Sequence, residues 1–562
     1  MRAWVVVLGL LLSIVACDDK TKGAKAGTGE AGPDPSKVPP PTTITIVYGS
    51  EKKTWLEEQA KAFLESGGKT ASGKKIAIDL KAMGSGEALT AVTSGTVKAH
   101  VFSPASSVYM SLVNDAWLSQ AAHTKPLVKQ GEPLVLSPVV IAMWRPMAEA
   151  LGWPKKQLSW GDLIKVSSNP KGWGALGFPE WGKFKLGHTH PEFSNSGYLA
   201  VLAEAYAGAK KTRDLKAADL DAKATRDLVT AVEETIVHYG KSTGFFADKM
   251  VSRGPSYLSA AVLYENLVIE ANSKSPPPQP PLVAIYPVEG TFWSDHPYAI
   301  LDAEWVGADE RQAAEAFLAF LKGKDAQKRA LALGFRPADS SIAIDAPVDA
   351  AHGVDPKQPQ TILPVPDSAT LKKLLELWRT TKKRSDVIFV FDKSGSMRGK
   401  PLEEAKKGAA SFVGSLGERD EVTLLFFDKL VYPAVGPIRL GTGRADLVHR
   451  LEGVTADGGT ALYDAIAAAY DLASKNAVSQ PQKMHSVVVM TDGKDEDSQF
   501  GLPQLKAKFP TEETPVRVFT IAYGAQAEGR VLDEIAEAAK GSSAKGSVES
   551  IRDVYLEMAS FF

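Results

Sequence analysis

Residues 387–400 of the sequence read VIFVFDKSGSMRGK. The first five residues are apolar, which is typical of a central parallel strand that is buried on both faces. Asp392 ends this apolar run, and Ser394 and Ser396 follow with one residue between them. Sites in open α/β sheets lie at the carboxyl ends of the strands. The stretch therefore predicts a strand of such a sheet with a cluster of polar groups at its end.

The alternation of strand and helix continues from this stretch to the C terminus. Further strands are expected at EVTLLFFD (421–428), HSVVVMTDG (485–493) and VRVFTIAYG (516–524), with helical patterns between them. Helices that connect successive strands imply parallel pairing with right-handed crossovers. We therefore predict a doubly wound α/β unit over residues 385–562.

Side chains that carry oxygen come at the ends of several of these elements. They are Asp392, Ser394 and Ser396 after the first strand, Thr460 before a helix, and Asp492 after another strand. This set contains no histidine or thiolate, and such oxygen ligands suit a hard cation such as Mg²⁺. Ordinary turns and helix caps are the alternative interpretation.

The arrangement resembles the von Willebrand factor type A domain and its metal-ion-dependent adhesion site, and all five positions of that pattern match. The resemblance implies that Ser394 and Ser396 bind the ion through their hydroxyls, and that Thr460 coordinates it in one of two conformations. It also implies that Asp392 and Asp492 bind directly or through water. A sixth position would then remain for an acidic residue of a protein partner.

Strands and helices also alternate in the first half of the chain, from ITIVYGS (44–50) onward. Small polar residues recur where a strand meets a helix, so backbone N–H groups would point into a common crevice. The order of elements over residues 43–340 resembles the two-lobed periplasmic solute-binding proteins, especially the molybdate-like branch. We therefore expect a solute-binding-protein-like domain over 42–340, with two α/β lobes around a small polar or anionic solute.

That resemblance implies a set of candidate solute contacts. They are Ser50, Ser85, Ser106, Asn195, Ser196 and Tyr264. Helix capping explains any one of these residues equally well. In the same region, His188, His190 and Glu192 are spaced so that they would share one face of a strand. A zinc site is conceivable there, but a packed or hydrogen-bonded histidine pair is favoured.

The N terminus carries the pattern of a secretory signal. An apolar stretch at 4–15 is too short for an ordinary membrane span, and it leads into SIVAC, which resembles a bacterial lipobox ending at Cys17, the sole cysteine. We expect a lipoprotein signal peptide over 1–16, acylation of Cys17 (with palmitate among the acyl chains), and a flexible tether over 17–41. A cleaved signal with an incidental cysteine is the alternative.

Residues 341–384 are expected to be a linker that contains a helix. Its apolar stripe is Leu371, Leu374, Leu375 and Trp378, flanked by basic residues. A membrane-surface helix has this character, but a helix that packs at the entrance of the next domain is favoured.

The composition excludes several classes of function. With 65 basic and 66 acidic residues, the chain has no global charge that would attract nucleic acid or an anionic membrane. No nucleophile–base arrangement or cofactor fingerprint is recognisable, so a non-enzyme is favoured. We expect a lipid-anchored cell-envelope protein, facing the periplasm or exterior, that couples a solute-binding module to a Mg²⁺-dependent interaction domain. The alternatives are a transport-system lipoprotein with a docking accessory, and a metal-dependent hydrolase.

Overall fold

Strands and helices alternate throughout the computed structural model, which describes residues 40–509 and 516–562. The expected signal peptide, the lipidation residue Cys17 and nearly all of the expected tether lie outside the described residues. Within residues 40–509 and 516–562, every helix falls short of the length and apolar character that crossing a bilayer requires.

Residues 42–337 contain twelve of the described strands and twelve of the described α-helices. The strands are β1 (Thr42–Gly49), β2 (Ile76–Met83), β3 (Val101–Ser103), β4 (Glu132–Pro133), β5 (Val135–Trp144), β6 (Leu186–Thr189), β7 (Ile236–Gly240), β8 (Ala260–Tyr264), β9 (Leu282–Ile285), β10 (Trp293–Ser294), β11 (Pro297–Ile300) and β12 (Arg336–Pro337). The helices are α1 (Lys53–Glu65), α2 (Ser85–Thr93), α3 (Val108–Leu118), α4 (Arg145–Ala150), α5 (Trp160–Ser167), α6 (Asn195–Ala209), α7 (Ala217–Asp221), α8 (Lys223–Glu233), α9 (Thr243–Arg253), α10 (Glu265–Asn272), α11 (Ala308–Leu321) and α12 (Lys324–Ala332).

These strands form two sheets, and each sheet is the centre of one lobe. The first lobe has the order β2-β1-β3-β11-β4, in which β1 pairs in parallel with β2 and β3. The second lobe has the order β10-β5-β8-β6-β7, and β9 and β12 also pair with β5. The chain returns to the first lobe through β11, which runs antiparallel to β3. This is the two-lobed α/β architecture that the sequence predicts.

The remaining elements follow residue 340. The helices are α13 (Ser368–Thr381), α14 (Lys400–Ser415), α15 (Leu440–Glu452), α16 (Leu462–Ser479), α17 (Leu502–Ala507), α18 (Gly529–Ala538) and α19 (Ile551–Ala559). The strands are β13 (Ser385–Asp392), β14 (Glu421–Phe427), β15 (Val435–Arg439), β16 (Met484–Thr491), β17 (Val516–Tyr523) and β18 (Ser543–Gly546).

Strand β13 lies inside the third sheet, whose order is β15-β14-β13-β16-β17-β18. All neighbours are parallel except β15, which runs antiparallel to β14. Every residue of β13 is buried. Val387, Phe389 and Phe391 pack into the core beneath α14, α15 and α19, whereas Ile388 and Val390 pack into the opposite core beneath α16, α17 and α18. The predicted doubly wound unit is therefore confirmed.

Helix α13 connects the second and third sheets. Leu371, Leu374, Leu377 and Trp378 are buried in the same apolar core as the second lobe. The apolar face of this helix is therefore covered by protein, and Leu375, which the sequence places in the stripe, lies only half-buried at its border.

Candidate functional site

The carboxyl edge of the third sheet gathers the residues that the sequence singles out for metal binding. Strands β13 and β16 are parallel neighbours, with Phe391 paired to Met490. Asp392 ends the first strand, and Asp492 follows the second. Parallel neighbours bring their carboxyl ends to one edge, so two acidic side chains that are 100 residues apart in sequence meet there.

Short contacts connect four of these residues in a row. The backbone N–H of Ser394 donates to Asp392 Oδ1 at 2.8 Å. The hydroxyls of Ser394 and Ser396 lie 3.0 Å apart, and Ser396 donates to Asp492 Oδ1 at 2.7 Å. Ser394, Ser396 and Thr460 also line one open cavity of about 360 Å³. The structure thus brings all five predicted residues to a single site.

Burial makes this site unfavourable for negative charge in the absence of a cation. Asp392 is fully buried, and its Oδ2 accepts a hydrogen bond from the Thr491 hydroxyl at 2.5 Å. Burial, with a smaller contribution from the charge of Asp492, raises the pKa of Asp392 to about 6. Burial also raises the pKa of Asp492. Two carboxylates and three hydroxyls are a donor set that fits Mg²⁺, which would offset this loss of hydration.

An acidic loop after β16 holds Thr460 in place. The Thr460 N–H donates to Asp497 Oδ2 at 2.8 Å, and its carbonyl accepts the N–H groups of Glu496 and Asp497. Asp495 accepts a hydrogen bond from the N–H of Tyr463. From the sequence, residues 495–497 are expected only as a solvated acidic loop beyond the site, and Thr491 has no predicted role. Thr491 could have been found from its place beside Asp492 on the strand, whereas the loop contacts depend on the fold.

The six candidate solute contacts are all buried, and they fall into two groups. Ser85 Oγ accepts the N–H of Ala105 at 3.0 Å, and Ser106 Oγ accepts the N–H of Val108 at 3.3 Å. These two serines therefore accept hydrogen bonds from backbone groups of the first lobe, although neither is the N-cap residue of a helix.

Of the other four candidates, Ser50 makes a contact between the two lobes, whereas Asn195, Ser196 and Tyr264 make contacts within the second lobe. Ser50 of the first lobe contacts Ser242 of the second at 3.0 Å, Oγ to Oγ. Asn195 donates to the hydroxyl of Tyr264 at 2.8 Å, and Ser196 Oγ lies 2.8 Å from the hydroxyl of Thr189 in the second lobe. The backbones of the lobes also touch directly, because Gly86 and Glu87 donate to the carbonyl of Phe193 at 3.0 and 3.1 Å. The lobes are therefore closed on each other.

Three residues at this junction are not predicted as site residues, because a single sequence gives no signal for them. The buried ammonium of Lys52 contacts Glu51 and donates to the carbonyls of Ser103 and Pro104. His296 Nδ1 lies 3.2 Å from Glu51 Oε1. Burial opposes the ionisation of Glu51, but Lys52 and His296 outweigh it and lower the pKa of Glu51 to about 2.

Several buried polar atoms near this junction lack a partner within the described part of the chain. They are Asn195 Oδ1, Asn266 Oδ1 and Ser103 Oγ. Buried polar groups in folded proteins are almost always hydrogen-bonded to protein or to ordered water. A small polar molecule held between the lobes would satisfy such groups.

The histidine stretch differs from the expected shared face. Strand β6 ends at Thr189, so His190 and Glu192 leave the strand alternation. Glu192 contacts Arg379 of α13, and His190 packs against the Trp378 ring at 4.6 Å between centroids. His188 is buried in the second lobe. The expectation that Glu192 stays in phase with the two histidines is therefore wrong, because the strand is shorter than the pattern suggests.

Comparison with known families assigns both halves of the chain. Residues 44–336, a little more than half of the sequence, match the model of the bacterial extracellular solute-binding protein family. The chain belongs to this family. In this solute-binding family member, residues 386–554 additionally match the von Willebrand factor type A domain. The β13 site described above lies within that second match.

Individual relatives share only parts of this solute-binding family member. The uncharacterized protein sll0103 of Synechocystis is 27% identical over 157 residues, which are 28% of this chain and 36% of the relative. The uncharacterized protein Rv1836c of Mycobacterium tuberculosis is 25% identical over 244 residues, which are 42% of this chain and 33% of the relative. The chain thus spans about a third of the length of these curated relatives. Among solved structures, the sulfate-binding protein SubI of Mycobacterium tuberculosis is 20% identical, with 53% of this chain and 88% of that chain covered and a TM-score of 0.37.

Proposed function

We propose that the protein is an extracytoplasmic, lipid-anchored component of the cell envelope that couples a solute-binding module to a Mg²⁺-dependent protein-interaction domain. The observation that carries this proposal is the run of contacts that links Asp392, through the backbone N–H of Ser394 and the hydroxyls of Ser394 and Ser396, to Asp492. The family matches support it, because both domains are of binding and interaction types.

The chemistry of the oxygen site explains how it would capture a partner. Asp392, Ser394, Ser396, Thr460 and Asp492 would hold the ion. Two carboxylates neutralise the formal charge of Mg²⁺, and the neutral hydroxyls leave the ion able to attract a further carboxylate. Thr460 and the two serines line the open cavity, so an acidic side chain of another protein can approach from that side.

The solute-binding module would hold a small polar molecule between its lobes. The unpartnered Asn195 Oδ1 and Ser103 Oγ support a polar ligand, and the close pairing of Glu51 with Lys52 keeps the junction near electrical neutrality. The family assignment favours solute capture for a transport system as a second candidate function, with the C-terminal domain as a docking accessory.

Direct contacts would couple the two domains mechanically. Arg517 of β17 donates to the carbonyl of Val237 in β7 at 2.6 Å, and the N–H of Tyr239 donates to the carbonyl of Phe561 at 3.3 Å. The C-terminal domain therefore rests on the second lobe, which is one of the two bodies that a solute would hold together.

Capture of a partner from intact cells tests the proposed function. The anchored protein is crosslinked in the presence of Mg²⁺ or of a chelator, and Asp392→Ala is compared with Asp457→Asn, an exposed acidic residue of the neighbouring loop. We expect capture by the wild type and by Asp457→Asn in Mg²⁺, and none by Asp392→Ala or in chelator. Capture that persists in Asp392→Ala would contradict the proposed role of the site.

A further inference from the structure

A second cluster of potential metal ligands lies deep inside the second lobe, far in sequence from the oxygen site. It consists of His188 on β6, Glu204 on α6 and Glu233 at the end of α8, and none of the three is exposed to solvent. One ligand atom of each residue lies within 4.8 Å of those of the other two. This arrangement brings two carboxyl groups and an imidazole together in the interior of the lobe.

The hydrogen bonds of His188 leave one ring nitrogen for a ligand role. Its Nδ1 lies 2.7 Å from the carbonyl of Thr189, which can only accept, so Nδ1 carries the proton. In the neutral ring, the lone pair of Nε2 then faces Glu233 Oε1 at 3.1 Å. Two acceptors at this distance repel each other unless a proton or a cation lies between them. Metal-binding histidines commonly donate their other nitrogen to a backbone carbonyl in this way.

Glu233 is oriented by donors that occupy only its second oxygen. Tyr239 donates its hydroxyl to Glu233 Oε2 at 2.6 Å, and the indole N–H of Trp378 donates to the same oxygen at 3.2 Å. Oε1 is left facing His188. Such outer donors fix the position of a carboxylate and leave its other oxygen available to an ion.

Glu204 provides an independent observation that points to a ligand at this cluster. Both of its carboxyl oxygens are buried and have no hydrogen-bond partner in the described part of the chain. An ionised carboxylate without a partner is strongly unfavourable in such a place. Protonation would not satisfy the group either, because its O–H would then lack an acceptor.

We propose that His188, Glu204 and Glu233 bind a divalent zinc ion. The 3.1 Å between His188 Nε2 and Glu233 Oε1 is close to the spacing of about 3.3 Å between two ligands that each lie about 2.0–2.1 Å from one tetrahedral ion. The two carboxylates balance the charge of the ion, and the second oxygen of Glu204 can complete a fourth position. A mixed imidazole and carboxylate set suits Zn²⁺ better than Mg²⁺.

The position of this zinc site suggests that its role is structural. Trp378, which donates to Glu233, belongs to α13, the helix that leads into the third sheet. A bound ion would hold Glu233 in the orientation that Trp378 recognises, and it would thereby secure α13 on the second lobe. This role is independent of metal binding at the oxygen site of the C-terminal domain.

Metal analysis of the full chain without a histidine tag tests the zinc site. The parent is Asp392→Ala, so that the oxygen site does not contribute metal. Cells are grown with Zn²⁺ or with Co²⁺, and the purified protein is dialysed against EDTA, which the buried ion should survive. We expect one Zn²⁺ per chain by mass spectrometry, and visible absorption bands of low-symmetry Co²⁺ in the cobalt protein.

Variants of Glu204 decide whether it is a ligand. In the parent background, Glu204→Leu and Glu204→Gln should lose the zinc and the cobalt bands, whereas Glu234→Gln, an exposed neighbour of Glu233, should retain both. Glu204→Gln keeps the test valid if the leucine variant fails to fold. Zinc retained in Glu204→Gln, or a parent protein without zinc after growth in Zn²⁺, would overturn the proposal.

Discussion

Replacing Asp392 by asparagine should stabilise the metal-free C-terminal domain at neutral pH and make it insensitive to Mg²⁺. Asp392 is fully buried, and burial raises its pKa from 3.8 to about 6. Each unit of difference between the folded and unfolded pKa corresponds to about 1.4 kcal/mol, so ionised Asp392 costs the metal-free fold about 3 kcal/mol. Asparagine has nearly the same shape and can still accept the N–H of Ser394 through its carbonyl.

The direction of the pKa shift of Asp392 determines the pH range over which the stability of the metal-free domain changes. Because the folded pKa is raised, the stability that protonated Asp392 contributes is fully present below about pH 4 and is lost as the pH rises through about 6. The metal-free wild type and Asp392→Asn should therefore have similar stability at pH 4, and they should differ by about 3 kcal/mol at pH 7.5. Mg²⁺ at 100 times its dissociation constant should return about 2.7 kcal/mol to the wild type only.

Hydrogen exchange of the β13 and β16 amides measures this difference in stability within the C-terminal domain. All 11 tryptophans precede residue 385, so their fluorescence does not report on this domain. At pH 7.5 in chelator, these amides should exchange about 100-fold more slowly in Asp392→Asn than in the wild type, since about 1.4 kcal/mol is tenfold. Asp457→Asn removes the same charge at an exposed position and should match the wild type. Equal exchange in Asp392→Asn and wild type, with equal response to Mg²⁺, would refute the reasoning.

Three further predictions concern other parts of the chain. Cys17→Ser should abolish lipidation, and acyl chains still found on the protein by mass spectrometry would contradict the proposed anchor. Gly86→Ala should separate the lobes and raise the radius of gyration in X-ray scattering, because its Cβ would lie 1.9 Å from a carbonyl of the opposite lobe; Gly414→Ala, with free space around its Cβ, should leave the radius unchanged. Asp420→Asn should lower the unfolding free energy by about 3 kcal/mol, because it leaves the buried ammonium of Lys382 without its counter-charge; an unchanged urea midpoint for the C-terminal domain would contradict this.

The sequence alone predicts the third sheet and the two acidic residues at its carboxyl edge. In β13, consecutive apolar residues pack alternately into two cores. An uninterrupted apolar run is the pattern expected of a strand that is buried on both faces. Asp392 and Asp492 come at the ends of two such strands, so parallel pairing is enough to bring them together. The apolar pattern of each strand and the acidic residue that follows it are both visible in a single sequence.

Only the tertiary structure decides the closed lobes and the buried cluster. His188 lies 45 residues from Glu233, and Glu204 stands on a helix that is buried on nearly all sides, so no spacing relates the three. The lobe contacts at Gly86 are made by its backbone, which carries no side-chain signal. The packing of α6 and the close approach of the two lobes at Gly86 depend on how segments that are distant in sequence fit together. No local stretch of the sequence shows that fit.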